Sequence, residues 1–453
     1  MPANLTLDTL RAAVDAGEID TVLTCVADMQ GRLMGKRFHA RHFLDSGHHE
    51  THGCNYLLAV DVDMATVPGY KSASWEQGYG DYVHKPDLAT LRRAAWEPGV
   101  AMVMCDLTDH HGDLVPIAPR SILKRQVERA RSLGLEPMMA TELEFYLFEE
   151  GFEALWDRGY RGMTPVVRYN NDYGILGTMK EEAVMRPLRR ALHDSGIPVE
   201  NTKGEADAGQ HEVNIRYSDA LDTADMHAIV KTATKAAAQG AGKSVTFMAK
   251  YATDRAGSSS HVHQSLWRDG RNAFFEPGAP HGMSAMMRSY LAGLLAHADA
   301  TTLFLAPFVN SYKRFTVGMF APTKAVWSRD NRTAGYRVCG EDTKGVRVEC
   351  RVGGADLNPY LALAALLAAG LDGIEQGLEL EPELSGDMYR SVTARRIPAT
   401  LRDAAEAAQG SAMLRRAFGE EVVDHYHRAA LWEISECDRA VTDWDLRRGF
   451  ERL

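Results

Sequence analysis

The sequence contains few cysteines, and none of them has the spacing of a metal site. Six occur among 453 residues, and no C-x-x-C pair is present. This usage argues against a disulfide scaffold or a structural zinc site and is typical of the reduced cytoplasm. We therefore expect a cytoplasmic protein whose cysteines are small core residues.

Three other features are missing. The formal net charge is -10, so the basic face of a nucleic-acid-binding protein is not expected. No apolar run approaches the roughly 20 residues that span a bilayer, so no membrane association is expected. The first residues are partly acidic, with no basic segment followed by an apolar one, which argues against a signal peptide.

The sequence also has no Walker A loop and no G-x-G-x-x-G fingerprint opening a helix, so the common nucleotide-binding folds are not expected. The length predicts two domains. Strands and helices mix without a strict βαβ alternation, which favours a mixed α/β (α+β) class. The Pro-bearing segment 115–120 reads as a joint, and we place the domains at 1–112 and 113–453, with Ser121 expected to cap the next helix.

The pattern of apolar residues predicts the main elements. Helices are expected at 7–16, 359–376 and within 397–453; strands at 21–27, 32–38 and 100–105; and a long functional loop at 47–87. The strands at 21–27 and 32–38 should form a hairpin in a small N-terminal sheet.

Chemistry-bearing side chains recur two residues apart in β-prone sequence, which puts them on one face of a strand. These are Glu142 and Glu144, His261 and His263, and Glu349 between Arg347 and Arg351; Glu205 and Glu212 flank a turn. Each pair alone is more often a solvated strand face. Together they predict two hard divalent ions, because buried glutamates need a counter-charge and oxygen ligands suit Mg²⁺ or Mn²⁺.

A second set is cationic. Its members are Lys313, Arg314, Arg332, Arg337, Arg347 and Arg351. Surface ion pairing is the usual role of arginine, but these residues lie in apolar or Gly-rich sequence. Arginines beside divalent metals are typical of phosphoryl transfer, where positioning and charge neutralisation dominate.

These segments resemble the glutamine synthetase family. The matching stretches, in family order, are TELEFYLF (141–148), EADAGQHE (205–212), GSSSHVHQSLW (257–267), PFVNSYKRF (307–315), RDNRTAGYR (329–337) and RVECRVGGADLNPYLALAALLAAGLDGIE (347–375). The resemblance implies the glutamine synthetase fold, with a small N-terminal β-grasp domain and a large catalytic domain built on a curved antiparallel sheet. It also implies a homo-oligomer, a dodecamer of two hexameric rings.

The resemblance also implies residue roles. Glu144, Glu205 and Glu212 would bind one metal, and Glu142, His261 and Glu349 the other; Arg314, Arg351 and Gly257 would hold glutamate; Arg332 would neutralise the transferring phosphoryl group; His263, Ser265, Arg337, Arg347 and Glu200 would contact ATP. The implied reaction passes through γ-glutamyl phosphate, which an amine then attacks.

Two departures from the family pattern bear on the amine. The D-G-S-S motif, whose aspartate binds ammonium, is replaced by His52-Gly53-Cys54-Asn55, and the flap glutamate is replaced by Phe320. An aromatic ring and a histidine suit an organic amine with a carbon chain. The sequence thus resembles the branch that makes γ-glutamylamides in amine catabolism and nitrogen metabolism, with His52 or an acid in 47–87 as the hypothetical base.

Several alternatives stay open. The amine can be ethanolamine, an alkylamine or a polyamine, with a small monoamine favoured because no run of acids is evident in the variable loop. Rival functions are ordinary glutamine synthetase using ammonia, and an inactive family member with a binding or regulatory role. Phe320 as a simple packing residue on a repositioned flap is also an alternative.

Overall fold

The computed structural model describes residues 5–453. Within that range the strands form one six-stranded and one ten-stranded sheet. The strands are β1 Thr21–Ala27, β2 Leu33–His39, β3 Thr51–Cys54, β4 Asp81–Pro86, β5 Arg92–Arg93, β6 Val100–Thr108, β7 Glu136–Phe148, β8 Val199–Gly204, β9 Gln210–Ile215, β10 Ser218–Asp219, β11 Ser244–Thr246, β12 Ser260–Arg268, β13 Arg271–Asn272, β14 Trp327–Arg329, β15 Tyr336–Cys339 and β16 Arg347–Cys350.

Helices pack on the sheets and also make up the C-terminal part of the chain. They are α1 Leu7–Asp15, α2 Ala40–His42, α3 Pro119–Ser132, α4 Phe152–Asp157, α5 Ile175–Thr178, α6 Glu182–Asp194, α7 Ala220–Gly240, α8 Ala285–Ala296, α9 Ala298–Leu305, α10 Val309–Tyr312, α11 Pro359–Glu375, α12 Leu401–Gln409, α13 Ala412–Phe418, α14 Glu420–Arg439 and α15 Asp443–Gly449. No helix of residues 5–453 is long and apolar enough to cross a membrane.

The N-terminal sheet has the strand order β2-β1-β6-β4-β3, with β5 also paired to β6. The predicted hairpin is confirmed, because β1 and β2 pair antiparallel from Thr21 opposite His39 to Ala27 opposite Leu33. Strand β1 runs parallel to β6 on its other side. The buried side of this sheet packs on α1, whose Leu10, Ala13 and Val14 face the core.

The larger sheet has the order β14-β15-β16-β12-β7-β9-β8, with β10 and β11 on β7 and β13 on β12. Its pairs are antiparallel, as predicted, except β14 with β15, which run parallel at one edge. Helix α11 is apolar on every side and is buried against α3 and α8, as expected of a core helix.

Two local predictions were wrong. The segment 47–87 is not one long loop, since β3 and β4 pair within it and β4 continues the sheet onto β6. Ser121 does not cap a helix, because α3 begins at Pro119 after Ala118; proline at the first helical turn has no N–H that needs a partner. The boundary at residue 113 stays a prediction.

Candidate active site

Strand β7 brings the predicted motifs together because it lies between β12 and β9. Glu142 is opposite His261 on β12, and Glu144 is opposite Glu212 on β9. On the far side of β12, Glu349 of β16 is opposite His263. Side chains at every second residue share a face, so the glutamates and the imidazoles project from one side of the sheet.

Glu144, Glu205 and Glu212 form a cluster of three carboxylates. One oxygen from each lies within 4.8 Å of the others. The backbone N–H of Ser259 donates to Glu144 Oε2 at 2.7 Å, and the side chain of Gln210 donates to the same oxygen at 3.2 Å. These bonds fix Glu144, while the turn between β8 and β9 supplies Glu205 and strand β9 supplies Glu212.

This cluster carries unbalanced negative charge in a buried place. Burial, followed by the charge of Glu205, raises the pKa of Glu144 to about 8. Burial and the charges of Glu142, Glu144 and Glu205 raise the pKa of Glu212 to about 9. Both shifts mean that ionising these carboxylates in the protein alone costs free energy, and a bound cation would remove that cost.

A second cluster contains Glu142, His261 and Glu349, whose ligand atoms also lie within 4.8 Å of one another. His261 Nδ1 is 2.9 Å from Glu142 Oε2 and 3.6 Å from Glu349 Oε1. The other nitrogen, His261 Nε2, is buried with no hydrogen-bond partner.

Charge is better balanced in this second cluster. Burial opposes ionisation of Glu142, but hydrogen bonds from His261 and His263 outweigh it and lower the pKa of the carboxyl. Burial likewise opposes ionisation of Glu349, yet the Arg351 charge, followed by the two imidazoles, lowers its pKa to about 2. Burial lowers the pKa of His261, so its ring is neutral and able to ligate a metal.

The donor sets therefore fit divalent cations. The first cluster offers only carboxylate oxygens, which suit Mg²⁺ or Mn²⁺. The second offers two carboxylates and the His261 imidazole, whose Nδ1 faces both carboxylates. A third grouping of His263, Cys339 and Glu349 shares its glutamate with the second cluster.

Arg314 is the best-buried cation beside the clusters, at 1% exposure. Its guanidinium donates to the carbonyl oxygens of Val352 (2.9 Å) and Arg351 (3.0 Å). Gly257 allows this placement, because a β-carbon there would lie 2.4 Å from Arg314 Cγ and 2.8 Å from the Ala249 carbonyl oxygen. Arg351 contacts Glu349, so both arginines converge on the metal-ligand face.

These groups line a cavity of about 520 Å³. Its lining includes Glu142, Glu144, Glu205, Glu212, His261, Gly257, Arg314, Arg332, Arg337, Arg351, Tyr173, Lys203, Met319 and Phe320. Phe320 is 56% exposed with φ of 53°, and Tyr173 is 67% exposed with φ of 55°. Bulky residues rarely adopt this left-handed backbone, and such outliers concentrate at functional sites.

Some of the predicted nucleotide-contacting residues lie next to the second cluster, and others lie away from the cavity. His263 Nε2 is 2.8 Å from Glu142 Oε1, and Arg347 Nε donates to His263 Nδ1 at 3.1 Å, so these two adjoin the second cluster. Arg337 donates to Glu349 at 2.9 Å. Ser265 accepts from the Trp267 indole at 3.0 Å farther along β12, and Glu200 is exposed on β8; neither lines the described cavity.

His52 is also outside the cavity that residues 5–453 form. It is exposed on β3, where its ring stacks 6.4 Å from that of His110 and its Nε2 lies 4.0 Å from Glu50. Within one chain His52 therefore does not meet the clusters, and its role as a base stays a prediction.

Sequence reasoning missed Lys203, Asp172 and Tyr173, which also line the cavity. Lys203 contacts Glu205, and its ammonium nitrogen is 3.6 Å from Asp172 and 4.5 Å from the centre of the Tyr173 ring. Lys203 lies two residues before Glu205, which is the only signal that could have drawn attention to it. Tyr173 and Asp172 belong to an irregular segment that shows no periodicity.

The chain is similar in sequence to proteins of known function. Residues 116–449 match the family described as glutamine synthetase, catalytic domain. The gamma-glutamylethanolamide synthetase GlnA4 of Streptomyces coelicolor is 50% identical over 451 residues, which cover 99% of this chain and 96% of the relative. The glutamate–isopropylamine ligase of a Pseudomonas species is 35% identical over 97% of this chain and 96% of its own length.

Two solved structures have the same fold as this chain. A structure described as apo GmaS without ligand superposes with a TM-score of 0.85 at 28% identity, covering 98% of this chain and 99% of that one. A GmaS/ADP complex gives the same TM-score at 27% identity, over 97% and 99% of the two chains. The predicted fold, mixed helix and sheet with curved sheets, is thereby confirmed. The chain belongs to the glutamine synthetase family.

Proposed function

We propose that this protein is an ATP-dependent glutamate–amine ligase that joins an organic primary amine to the γ-carboxylate of L-glutamate. The products are a γ-glutamylamide, ADP and phosphate. The observation that carries the proposal is the single cavity that combines two buried metal-ligand clusters, the buried Arg314 and an exposed aromatic Phe320 at its rim.

The cluster residues would hold two divalent cations, Mg²⁺ or Mn²⁺. Glu144, Glu205 and Glu212 would hold one, and Glu142, His261 and Glu349 the other. When bound, such ions neutralise the charge of phosphate oxygens during phosphoryl transfer. The raised pKa values of Glu144 and Glu212 support this assignment, because a cation would remove the cost of ionising them together.

Arg314 and Arg351 are the proposed glutamate-holding residues, with Gly257 as the backbone that admits Arg314. The Arg314 guanidinium is fixed by two carbonyls, so little conformational entropy remains to be lost when a carboxylate binds. Exposed Arg332 at the cavity wall is the proposed group that neutralises the phosphoryl group in transit. The γ-carboxylate then attacks the terminal phosphorus of ATP and forms γ-glutamyl phosphate.

The nucleotide is proposed to lie towards β12 and β16. His263, Arg347 and Arg337 are connected to the second cluster by hydrogen bonds and would face the phosphates. Ser265 and the exposed Glu200 are the proposed outer contacts to ATP. Arginine suits phosphate because its planar guanidinium donates two parallel hydrogen bonds.

The amine is proposed to be organic and small. Phe320 offers an aromatic ring at the cavity rim where the family's flap carries a glutamate, and Met319 beside it is also exposed. Two relatives that cover nearly the whole chain are named for ethanolamine and isopropylamine, which supports the same class of substrate. Amine displaces phosphate from the activated glutamate, and the amide forms.

We further propose a cytoplasmic homo-oligomer, a dodecamer of two hexameric rings. His52 lies away from the cavity of its own chain, which supports a site completed by a neighbouring subunit. Size-exclusion chromatography with light scattering tests the assembly: a mass near that of one chain would contradict it.

The function is tested by phosphate release from purified protein with ATP, Mg²⁺ and glutamate against ammonium, methylamine, ethanolamine, isopropylamine, putrescine and spermine. We expect turnover with at least one small organic monoamine and little with ammonium. Strong turnover with ammonium alone would establish ordinary glutamine synthetase activity. No turnover with any amine would favour a binding or regulatory role. Mass spectrometry of the product identifies the amide.

A further inference from the structure

Lys203 provides a cation inside the candidate active site. Its ammonium group donates a hydrogen bond to the Glu205 carboxylate, pairs with Asp172 Oδ1 at 3.6 Å and lies 4.5 Å from the centre of the Tyr173 ring. Two carboxylates and an aromatic face are the groups that bind a small ammonium ion. The Lys203 ammonium group therefore occupies a position that would otherwise suit a small cation such as ammonium.

Backbone contacts hold the segment around Lys203 in place. The Tyr173 N–H donates to the Gly204 carbonyl oxygen at 3.3 Å, next to Lys203 at the end of β8. A β-carbon at Gly204 would lie 2.5 Å from the Asn171 carbonyl oxygen, so glycine is needed for this approach. Asn170 also forms a β-bridge with Ala208 in the turn before β9. The segment carrying Asp172 and Tyr173 is thus fixed against the strand carrying Lys203.

We propose that Lys203 is a specificity-determining residue that excludes ammonium from the part of the cavity bounded by Glu205, Asp172 and Tyr173. This inference rests on the proposed ligase function and adds the reason why ammonium is a poor substrate. Ammonium has no carbon chain, so it depends on carboxylates and an aromatic face for binding. An organic amine has apolar contacts with Phe320 and Met319 at the rim and does not depend on the position that Lys203 fills.

The test compares Lys203→Met with wild type in two assays, glutamine formation from ammonium and amide formation from ethanolamine, each by mass spectrometry. Methionine keeps the length of the chain and removes its charge. We expect kcat/KM for ammonium to rise by about tenfold or more, because a like charge about 4 Å away is removed. The value for ethanolamine should change by a smaller factor.

Two further variants control for charge and for the protein surface. Lys203→Arg keeps the cation and should remain as poor with ammonium as wild type. Lys180→Met removes an exposed lysine that lies 5.3 Å from the Tyr169 ring in the same region, and it should not change either activity. Mn²⁺ titration by calorimetry checks that Lys203→Met still binds metal, since Lys203 also contacts Glu205.

The outcomes separate this inference from the proposed function. Turnover of ethanolamine by wild type tests the function alone. If wild type uses ethanolamine and Lys203→Met gains no ammonium activity, the exclusion role of Lys203 is overturned and the function stands. A parallel loss of both activities together with weaker Mn²⁺ binding would assign Lys203 to metal-site structure instead. Should Lys203→Met fail to fold, Lys203→Gln replaces it with the same expectations.

Discussion

At the residue scale, Phe320 is the position where this chain departs most informatively from its family. Its ring is exposed at the cavity rim, and the backbone is left-handed there. We expect Phe320→Glu to shift the ratio of kcat/KM values for ammonium over ethanolamine by about tenfold, because a carboxylate attracts the compact cation and removes apolar contact. Competition assays with both amines measure the ratio.

Phe320→Leu is the matched control for that prediction. Both variants carry a β-carbon at the same strained backbone, so any loss from strain is shared. Leucine keeps an apolar surface and should keep the preference for ethanolamine. Equal ratios in the two variants would show that Phe320 packs the flap and does not select the amine.

Glu144 is a buried metal-ligand candidate whose burial opposes its charge. Glu144→Gln should lower phosphate release by about 100-fold or more, because metal charge stabilisation is worth several kcal/mol. In EDTA the same variant should be more stable than wild type by about 2–4 °C in Tm, as one buried repelling carboxylate is gone. Turnover assays and melts in EDTA measure the two effects.

Glu136→Gln provides the comparison on the same strand, since Glu136 is exposed at the start of β7. It should leave both turnover and melting unchanged. A Glu144→Gln enzyme with normal turnover would remove Glu144 from the proposed ligand set, and a lower Tm in EDTA would contradict the account of charge repulsion.

At the element scale, Arg120 connects α3 to the N-terminal sheet and to α7. It is 3% exposed and donates to Asp225 of α7 at 2.9 Å, to Asp106 of β6 at 2.5 Å and to Asp87 at 2.8 Å. Arg120→Met leaves the buried Asp225 without a cation, with only the Tyr360 hydroxyl as a partner, and should lower the free energy of unfolding by about 3–5 kcal/mol. Urea denaturation followed by circular dichroism measures the change.

Arg131 on the same helix makes a suitable control. It pairs with Asp219 at 3.2 Å while half exposed, so Arg131→Met should cost less than about 1 kcal/mol. Similar losses in the two variants would mean that the network around Arg120 is not what joins α3 to the N-terminal sheet and α7.

The elements also show what sequence can predict. Strands β7, β12 and β16 were predictable because residues two apart share a face, and that spacing survives in a single sequence. The short strands β3 and β4 were not, since they form by pairing (β4 with β6 and β3 with β4) and not through local periodicity. Lys203 and Tyr173 were missed for a related reason: the fold, and no spacing rule, puts the loop beside the end of β8.

At the scale of the whole molecule, the family resemblance predicted the fold and brought six metal-ligand candidates into two clusters, but it could not place His52. Within its own chain His52 lies beside Glu50 and His110 and outside the cavity. Sequence motifs identify side chains that share a strand; they do not say which surfaces of separate chains meet. The position of His52 relative to a neighbouring cavity is therefore a question of assembly.

Buried neutral histidines should make the folded protein sensitive to acid. Burial lowers the pKa of His84 in the N-terminal sheet to about 4 and that of His425 in α14 to about 3. In the unfolded chain a histidine takes up its proton near pH 6.5, while these folded sites resist it. Their stability contribution is thus complete above about pH 6.5 and falls as the pH drops towards the folded pKa, by about 1.4 kcal/mol per pH unit for each group.

His425→Phe tests this, because phenylalanine keeps a ring against Tyr70, whose ring centre lies 4.2 Å away, and cannot titrate. We expect the free energy of unfolding of wild type to fall more steeply than that of His425→Phe between pH 6.5 and 4.5, by urea denaturation at each pH. His193→Phe, at an exposed site, should follow the wild-type slope. A difference in slope is expected because only the unfolded wild-type chain takes up a proton at residue 425 in this pH range. Parallel plots of the free energy of unfolding against pH for wild type and His425→Phe would contradict the lowered pKa of His425.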